Sequence, residues 1–333
     1  MRPEAQDPDP RSRDAGSHNR ASENPTAVQV HMRPLGALGE NVSAFGLGCG
    51  PLARLGDHGD HGDWDATLGA AMDCGITVVD MAARGLRQHS EVMLGRALLD
   101  RRDDLFLSSR CTPLDGRTFD TSEAAVRAQL EETLRRLRTD RLDLYQVHDV
   151  EATDPKRLLE VTLPALVAAR ERGEVRYIGA SGNSLELLKE ILITFPVDAI
   201  LSYTRFDLAN SDLADEILPT AEELGVAVIN ASPLHMGLLS DPAHAREVAA
   251  ADRLVGDAAE EAFAIATKVG TELPRLALKY AAQDTRIACT LVGCATPAEV
   301  LSNVKSFESS PTELEARAID EIRAAFQAAD LST

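Results

Sequence analysis

Residues 42–56 read VSAFGLGCGPLARLG, and the choice of fold turns on them. The opening residues form an apolar run that predicts a strand. Gly46, Gly48 and Gly50 follow at a spacing close to the glycine fingerprint of a dinucleotide-binding, doubly wound sheet. In that fold a helix begins at once, so that its N-terminus can hold a pyrophosphate. Here Pro51 to Gly56 follow, then the polar run DHGDHGD (57–63), and no helix is expected. A closed barrel is the better reading.

Outward from this stretch, the chain alternates short β-branched runs with longer helical patterns. Besides 42–50, the strand candidates are TVVDMA (77–82), LFLSSRC (105–111), LDLYQVHD (142–149), VRYIGAS (175–181), AILSYTR (199–205), VAVINASPL (226–234) and CTLVGCA (289–295). Each is a near-continuous apolar stretch, as parallel strands covered on both faces require. Between them, SEAAVRAQLEETLRRLR (122–138) places Ala125, Leu130, Leu134 and Leu137 near helical spacing, with Ser122 as N-cap. Gly173 and Gly225 stand where helices starting near Asp154 and Ser211 must end. Eight strand runs alternating with helices predict a (β/α)8 TIM barrel over residues 29–333 as a single domain. The helical segment from about 240 to 275 is placed to cap its mouth.

The 53 acidic and 34 basic residues give a net charge of −19. Such a surface repels phosphate backbones and anionic lipid, which disfavours nucleic-acid and membrane partners. No stretch approaches the roughly 20 apolar residues of a membrane span. The five cysteines (Cys49, Cys74, Cys111, Cys289, Cys294) are odd in number and mostly in apolar runs, which reads as reduced thiols in a cytoplasmic protein. Residues 1–28 are rich in Pro, Asp, Ser and Arg and lack an apolar stretch, so they read as a disordered tail and not a signal peptide. In 57–63 two histidines and three aspartates could ligate a metal, but the interleaved glycines favour a solvated loop. No metal site is assigned, and nothing specifies an oligomeric state.

In such a barrel the reacting groups project from the C-terminal ends of strands. The second run ends in Asp80, the third in Arg110 and the fourth in His148 followed by Asp149. Singly, Asp80 and Arg110 could be a buried ion pair and His148 a satisfied polar residue. Converging at one mouth, a carboxylate, a guanidinium and an imidazole read as a catalytic set.

The segments GITVVDMA (75–82), SEVMLGRAL (90–98), DLYQVHD (143–149), VRYIGASG (175–182), ILSY (200–203), ASPLHMGLL (231–239) and LVGCATPAEVLSNV (291–304) resemble, in order and spacing, the aldo-keto reductase family. The likeness is closest to its L-galactose/L-fucose dehydrogenase-like branch and spans roughly residues 32–327. It implies a nicotinamide cofactor across the barrel mouth and a tetrad of Asp, Tyr, Lys and His. In this chain the Asp maps to Asp80 and the His to His148, but the Tyr position holds Gly85 and the Lys position Arg110. The four tyrosines (Tyr145, Tyr177, Tyr203, Tyr280) lie elsewhere in the sequence, so the family's proton donor is missing. Arg84 stands beside the vacated position, and His235 follows the seventh run; both are read as substrate-binding.

The resemblance also implies the cofactor contacts. Ser181, Gly182 and Asn183 match the carboxamide end, and Ser232, Leu234, Gly237 and Leu238 the pyrophosphate loop. Gly293, Thr296, Glu299 and Asn303 match the adenosine end. Ala295 stands where NADP-preferring members often carry Arg, so the cofactor is NAD(P)H with NAD favoured. The expected substrate is a small molecule, anionic or enolised, met by Arg110 and Arg84 with His148 moving the proton. Three function classes follow: an atypical redox enzyme, a non-redox dehydratase, lyase, isomerase or cyclase, and a cofactor-binding protein without turnover.

Overall fold

A computed structural model describes residues 28–57, 63–81, 88–111 and 122–329. Met32–Pro34 (β1) and Asn41–Ser43 (β2) pair antiparallel. Phe45–Gly48 (β3), Val78–Asp80 (β4), Phe106–Cys111 (β5), Leu142–Val147 (β6), Val175–Gly182 (β7), Ala199–Tyr203 (β8), Ala227–Ala231 (β9) and Ile287–Gly293 (β10) close into a barrel. Every neighbouring pair is parallel, in the order β10-β3-β4-β5-β6-β7-β8-β9. With helices packed outside, this is a (β/α)8 barrel. Each of the eight sequence runs overlaps one of its strands.

The stretch 42–56 departs from expectation in two ways. It divides at Ala44, so that Asn41–Ser43 joins the hairpin and only Phe45–Gly48 enters the barrel. A helix also does begin at once, over Gly50–Asp57. Pro51 sits in its first turn, where a missing N–H forfeits no helical hydrogen bond, and Ala53 N–H reaches the Cys49 carbonyl at 3.0 Å. The doubly wound reading therefore fails on strand order: β3 pairs with both β4 and β10, which leaves no open edge. Gly46 serves packing. A β-carbon there would lie 2.6 Å from Leu291 Cδ2 and 2.8 Å from Cys289 Sγ, inside the barrel.

Two other local expectations resolve by the same physics. Ser122 caps the helix Glu123–Leu137, accepting from Ala125 N–H at 3.3 Å. The helix expected from Ser211 splits into Asp212–Glu216 and Leu218–Leu224, because Pro219 cannot donate into a continuous ladder. Gly225 then closes the second piece with φ +70°, a conformation glycine adopts without a side-chain penalty.

The hairpin plugs the N-terminal end of the barrel. Leu35 and Val42 join Val78, Phe106 and Leu144 in the interior cluster, and Arg33 ties the hairpin to the barrel through the carbonyls of Ala282, Asp284 and Ile287 at 2.6, 3.0 and 2.8 Å. Outside the barrel, the buried Glu91 carboxylate accepts from Arg136 and, at 3.1 Å, from Thr133. It thereby joins the helices Gln88–Leu98 and Glu123–Leu137. Burial pushes its carboxyl up, and the Arg136 guanidinium opposes that shift. All five cysteines are free and buried. Among the described residues, no helix is long and apolar enough to cross a membrane.

Gly46→Ala should cost about 1–3 kcal/mol of stability in urea unfolding, the usual penalty for overpacking a filled core. Gly50→Ala, whose β-carbon would meet nothing within 4 Å, should stay within about 0.5 kcal/mol of the native chain. Equal effects at the two sites would remove the packing role assigned to Gly46.

Candidate active site

The strand registers determine which side chains meet inside the barrel. Neighbouring strands are staggered, so axis-facing residues stack in tiers drawn from alternate strands. The uppermost described tier holds His148 from β6, Tyr203 from β8 and Gly293 from β10. Below it lie Gly48, Arg110, Ser181 and Ala231 from β3, β5, β7 and β9. The third tier is Asp80, Gln146, Leu201 and Leu291. One side of the mouth is thus walled by the small residues Gly48, Ala231 and Gly293, and the other by long polar side chains.

Backbone strain marks the same end. The described residues include six non-glycine residues with positive φ, and five of them, Asp149, Thr204, Ser232, His235 and Met236, follow β6, β8 or β9 at the C-terminal mouth. Such conformations cost about 1–3 kcal/mol each and persist where surrounding structure enforces them, commonly at functional sites.

Asp80 and Arg110 meet as the sequence predicts. Arg110 donates an Nη to Asp80 Oδ2, and Ser108 Oγ donates to Asp80 Oδ1 at 2.8 Å. Gln146 Nε2 extends the chain to Ser108 Oγ at 3.2 Å. Both charged side chains are nearly buried, which makes their pairing obligatory. Arg110 Nε is buried too, and it has no hydrogen-bond partner among the described residues. His148 stands one tier above, its Nδ1 2.7 Å from Asp149 Oδ1.

His235 reaches the mouth from the loop after β9, with Nδ1 2.9 Å from Asp207 Oδ2. The fully buried Asp207 is fixed in turn by the backbone N–H groups of Ala209 and Asn210 at 2.7 and 3.0 Å. His235 thus rests a ring nitrogen on a carboxylate, and His148 stands within ion-pair range of one. Arg84 and Gly85 lie outside the described residues, as do 58–62 of the His/Asp loop. Asp63, at that loop's end, caps the helix Trp64–Asp73 by accepting from Ala66 N–H at 2.9 Å.

The residues matched to cofactor contacts are differently disposed. Ser181 Oγ donates to the Val147 carbonyl at 3.1 Å, and Asn183 is clamped by Arg205 Nε at 2.6 Å. In the loop Ser232–Leu238, the N–H groups of His235, Gly237 and Leu238 are spent on the carbonyls of Ser232, Leu234 and His235. An anion would have to displace these turns to use those donors. Leu238 is buried. At the far end, Thr296 caps the helix Pro297–Phe307, accepting from Glu299 N–H at 3.2 Å, while Glu299 Oε2 accepts from Ala295 N–H at 2.7 Å. Asn303 Nδ2 turns to Cys294 Sγ at 3.4 Å.

Two residues escaped the sequence reading. Tyr203 lies away from the family's tyrosine position in sequence, yet the barrel brings its hydroxyl to 3.0 Å from both Asp149 Oδ1 and Glu151 Oε1. Burial, with those two carboxylates, pushes the phenol well above its ordinary range and keeps it neutral. Glu151 also accepts from Asn183 N–H at 3.1 Å and lies where a β-carbon at Gly182 would be, 2.4 Å from that position. The position of Tyr203 at the end of an apolar run was the one available signal.

Among known families, the aldo/keto reductase family matches residues 46–324. The L-galactose dehydrogenase of Arabidopsis thaliana is 33% identical over 303 residues, covering 88% of this chain and 92% of that protein. Among solved structures, the holo form of an aldo-keto reductase from Bacillus halodurans superimposes with a TM-score of 0.70 at 24% identity. That match covers 88% of this chain and 96% of that one.

Arg110→Met should destabilise the protein by about 3–5 kcal/mol, because it leaves the Asp80 charge buried without its partner. Asp80→Asn combined with Arg110→Met should recover most of that loss in the same urea titration. A single variant as stable as the parent would show that the pair is solvated and not a buried ion pair.

Proposed function

The chain belongs to the aldo/keto reductase family, and on that premise we propose an NAD-linked oxidoreductase in which Arg110 polarises the substrate oxygen and His148 carries the proton. The chain as a whole is an oxidoreductase of this family. The observation that carries it is Arg110 Nε, a buried donor without a partner among the described residues, one tier below His148.

The mouth fits a nicotinamide. Gly48 and Ala231 leave room for a flat ring on one side, and Ser181 Oγ, already donating to Val147, retains lone pairs for a carboxamide N–H. The bound cofactor supplies or accepts the hydride at the carbonyl carbon. Arg110 then stabilises the negative charge that develops on the oxygen, which accords with an anionic or enolised intermediate. Asp80 holds the guanidinium in place and no longer tunes a phenol. His148 gives the proton in reduction and takes it in oxidation.

Cofactor choice rests on the helix Pro297–Phe307. The Glu299 carboxylate already occupies the Ala295 N–H at its N-terminus. A ribose hydroxyl can donate to that carboxylate, whereas a 2′-phosphate is repelled by it, so NAD is preferred. The substrate class follows the relative named L-galactose dehydrogenase: a sugar-like polyol with one oxidisable hydroxyl or hemiacetal carbon. A non-redox reading draws on the second imidazole, since His148 and His235 together offer two oriented acid–base groups.

NADH should bind more tightly than NADPH in fluorescence titrations, and Glu299→Gln should narrow the gap by roughly 1 kcal/mol, about five-fold. A strong NADPH preference in the native protein overturns the role of Glu299. With L-galactose and NAD+, His148→Gln should lower the rate of cofactor reduction about 10²- to 10⁴-fold. Turnover of simple aldehydes should be very low, and Gly85→Tyr with Arg110→Lys should raise it. Absence of any dinucleotide binding selects the non-redox reading.

A further inference from the structure

We propose that Asp149, Tyr203 and Glu151 form a positioning set that tunes the proton affinity of the His148 imidazole. The proposal rests on the reading of His148 as the proton carrier. None of the three belongs to the tetrad positions, and they come from the loop after β6 and the end of β8, which only barrel closure brings together.

The geometry is a chain of short contacts. His148 Nδ1 lies 2.7 Å from Asp149 Oδ1, and the same oxygen accepts from the Tyr203 hydroxyl at 3.0 Å. That hydroxyl has a single proton, yet Glu151 Oε1 also stands 3.0 Å from it. Two carboxylates thus compete for one phenolic proton, and the share that Asp149 receives determines how strongly Asp149 holds the imidazole. Glu151 is itself anchored by Asn183 N–H at 3.1 Å. Asp149 reaches its place through a left-handed backbone with φ +48°, a strained conformation that aspartate tolerates better than most residues.

The chemistry follows from which nitrogen is engaged. The Asp149 carboxylate stands against Nδ1 as an ion-pair contact, and Nε2 is assigned to the substrate. In reduction, hydride addition to the carbonyl carbon gives an alkoxide, which takes the Nε2 proton of the imidazolium. The neutral imidazole, still beside the Asp149 carboxylate, regains a proton from solvent. In oxidation the same proton moves the other way. Tyr203 is not the acid here, because burial and its two carboxylate neighbours hold its proton. Its task is to donate to Asp149.

Among the described residues, Asp149 contacts His148 directly, Tyr203 from β8 and Glu151 lie behind Asp149, and the Asp80–Arg110 pair from β4 and β5 lies in the tiers beneath. The His148 backbone N–H donates to the carbonyl of Cys111, whose buried thiol stays protonated. With the Asp80–Arg110 pair internally neutralised, Asp149 is the charge in direct contact with the imidazole among the described residues.

The signs of three substitutions then differ. Asp149→Asn removes the opposite charge and should lower the His148 titration midpoint by about one pH unit or more. Glu151→Gln leaves Tyr203 donating to Asp149 alone and removes an exposed negative charge, so the midpoint should fall by less. Tyr203→Phe frees the Asp149 carboxylate from its donor and should move the midpoint up. Asparagine suits the left-handed backbone at 149, and the other two changes are nearly isosteric, so the fold is expected to persist.

The test is NMR titration of the full-length protein with labelled histidine, the His148 resonance being identified by its loss in His148→Gln. A down, smaller-down, up pattern for Asp149→Asn, Glu151→Gln and Tyr203→Phe supports the positioning set. A His148 midpoint unmoved in all three, or moved the same way in all three, overturns it. The titration needs no turnover, so its result stands apart from the oxidoreductase reading. That reading fails instead if native protein binds no dinucleotide, or if His148→Gln turns over L-galactose with NAD+ as fast as the parent.

Discussion

Closure of the staggered parallel sheet is the constraint on which the rest of this molecule depends. Once β10 pairs with β3, every inward side chain is assigned to a tier with neighbours from alternate strands. The lower tiers are apolar and are sealed by the hairpin through Leu35 and Val42. The upper tiers are polar and open toward the loops. A register slip of one residue at any strand would turn its polar end-residue outward and dissolve the mouth. Packing at Gly46 and the Arg33 contacts therefore protect the site from the opposite end of the barrel.

The buried pair at the centre divides the work. Asp80 and Arg110 neutralise one another, which lets a guanidinium remain in a cavity that burial alone would deny it. What is left over includes a buried Nε donor with no hydrogen-bond partner among the described residues. In the proposed mechanism, a planar fork with one arm held on Asp80 is suited to receiving an oxygen, a geometry that a compact ammonium does not offer.

The tier above carries two imidazoles: His235 shares a hydrogen bond with Asp207, His148 stands in ion-pair range of Asp149, and Asp149 accepts from Tyr203. Strained residues concentrate there because the loops after β6, β8 and β9 must turn sharply to aim these side chains inward. Their cost is borne by the apolar core below, which holds the strand ends fixed.

The sequence by itself determined the barrel, since eight apolar runs alternating with amphipathic helices leave few other ways to bury both faces of a parallel sheet. It also placed Asp80, Arg110 and His148 together, because strand-end positions converge in any such barrel. Ser122 as a cap and Gly225 as a helix stop were legible for equally local reasons. The helix after Gly50 was not, because Pro51 disfavours a helix interior but suits a first turn, and only the burial of Leu52 and Ala53 settles which applies. Tyr203 and Glu151 were invisible as companions of the Asp149 that stands beside His148. They stand 55 and 3 residues from it, at distances along the chain that no periodicity links, and it is the stagger between β6 and β8 that carries the phenol to Asp149. Likewise Glu299 read as an acid near an adenosine site, and the tertiary structure turned it onto the Ala295 N–H. Local pattern specifies which groups point inward; the register of a closed sheet specifies which of them touch.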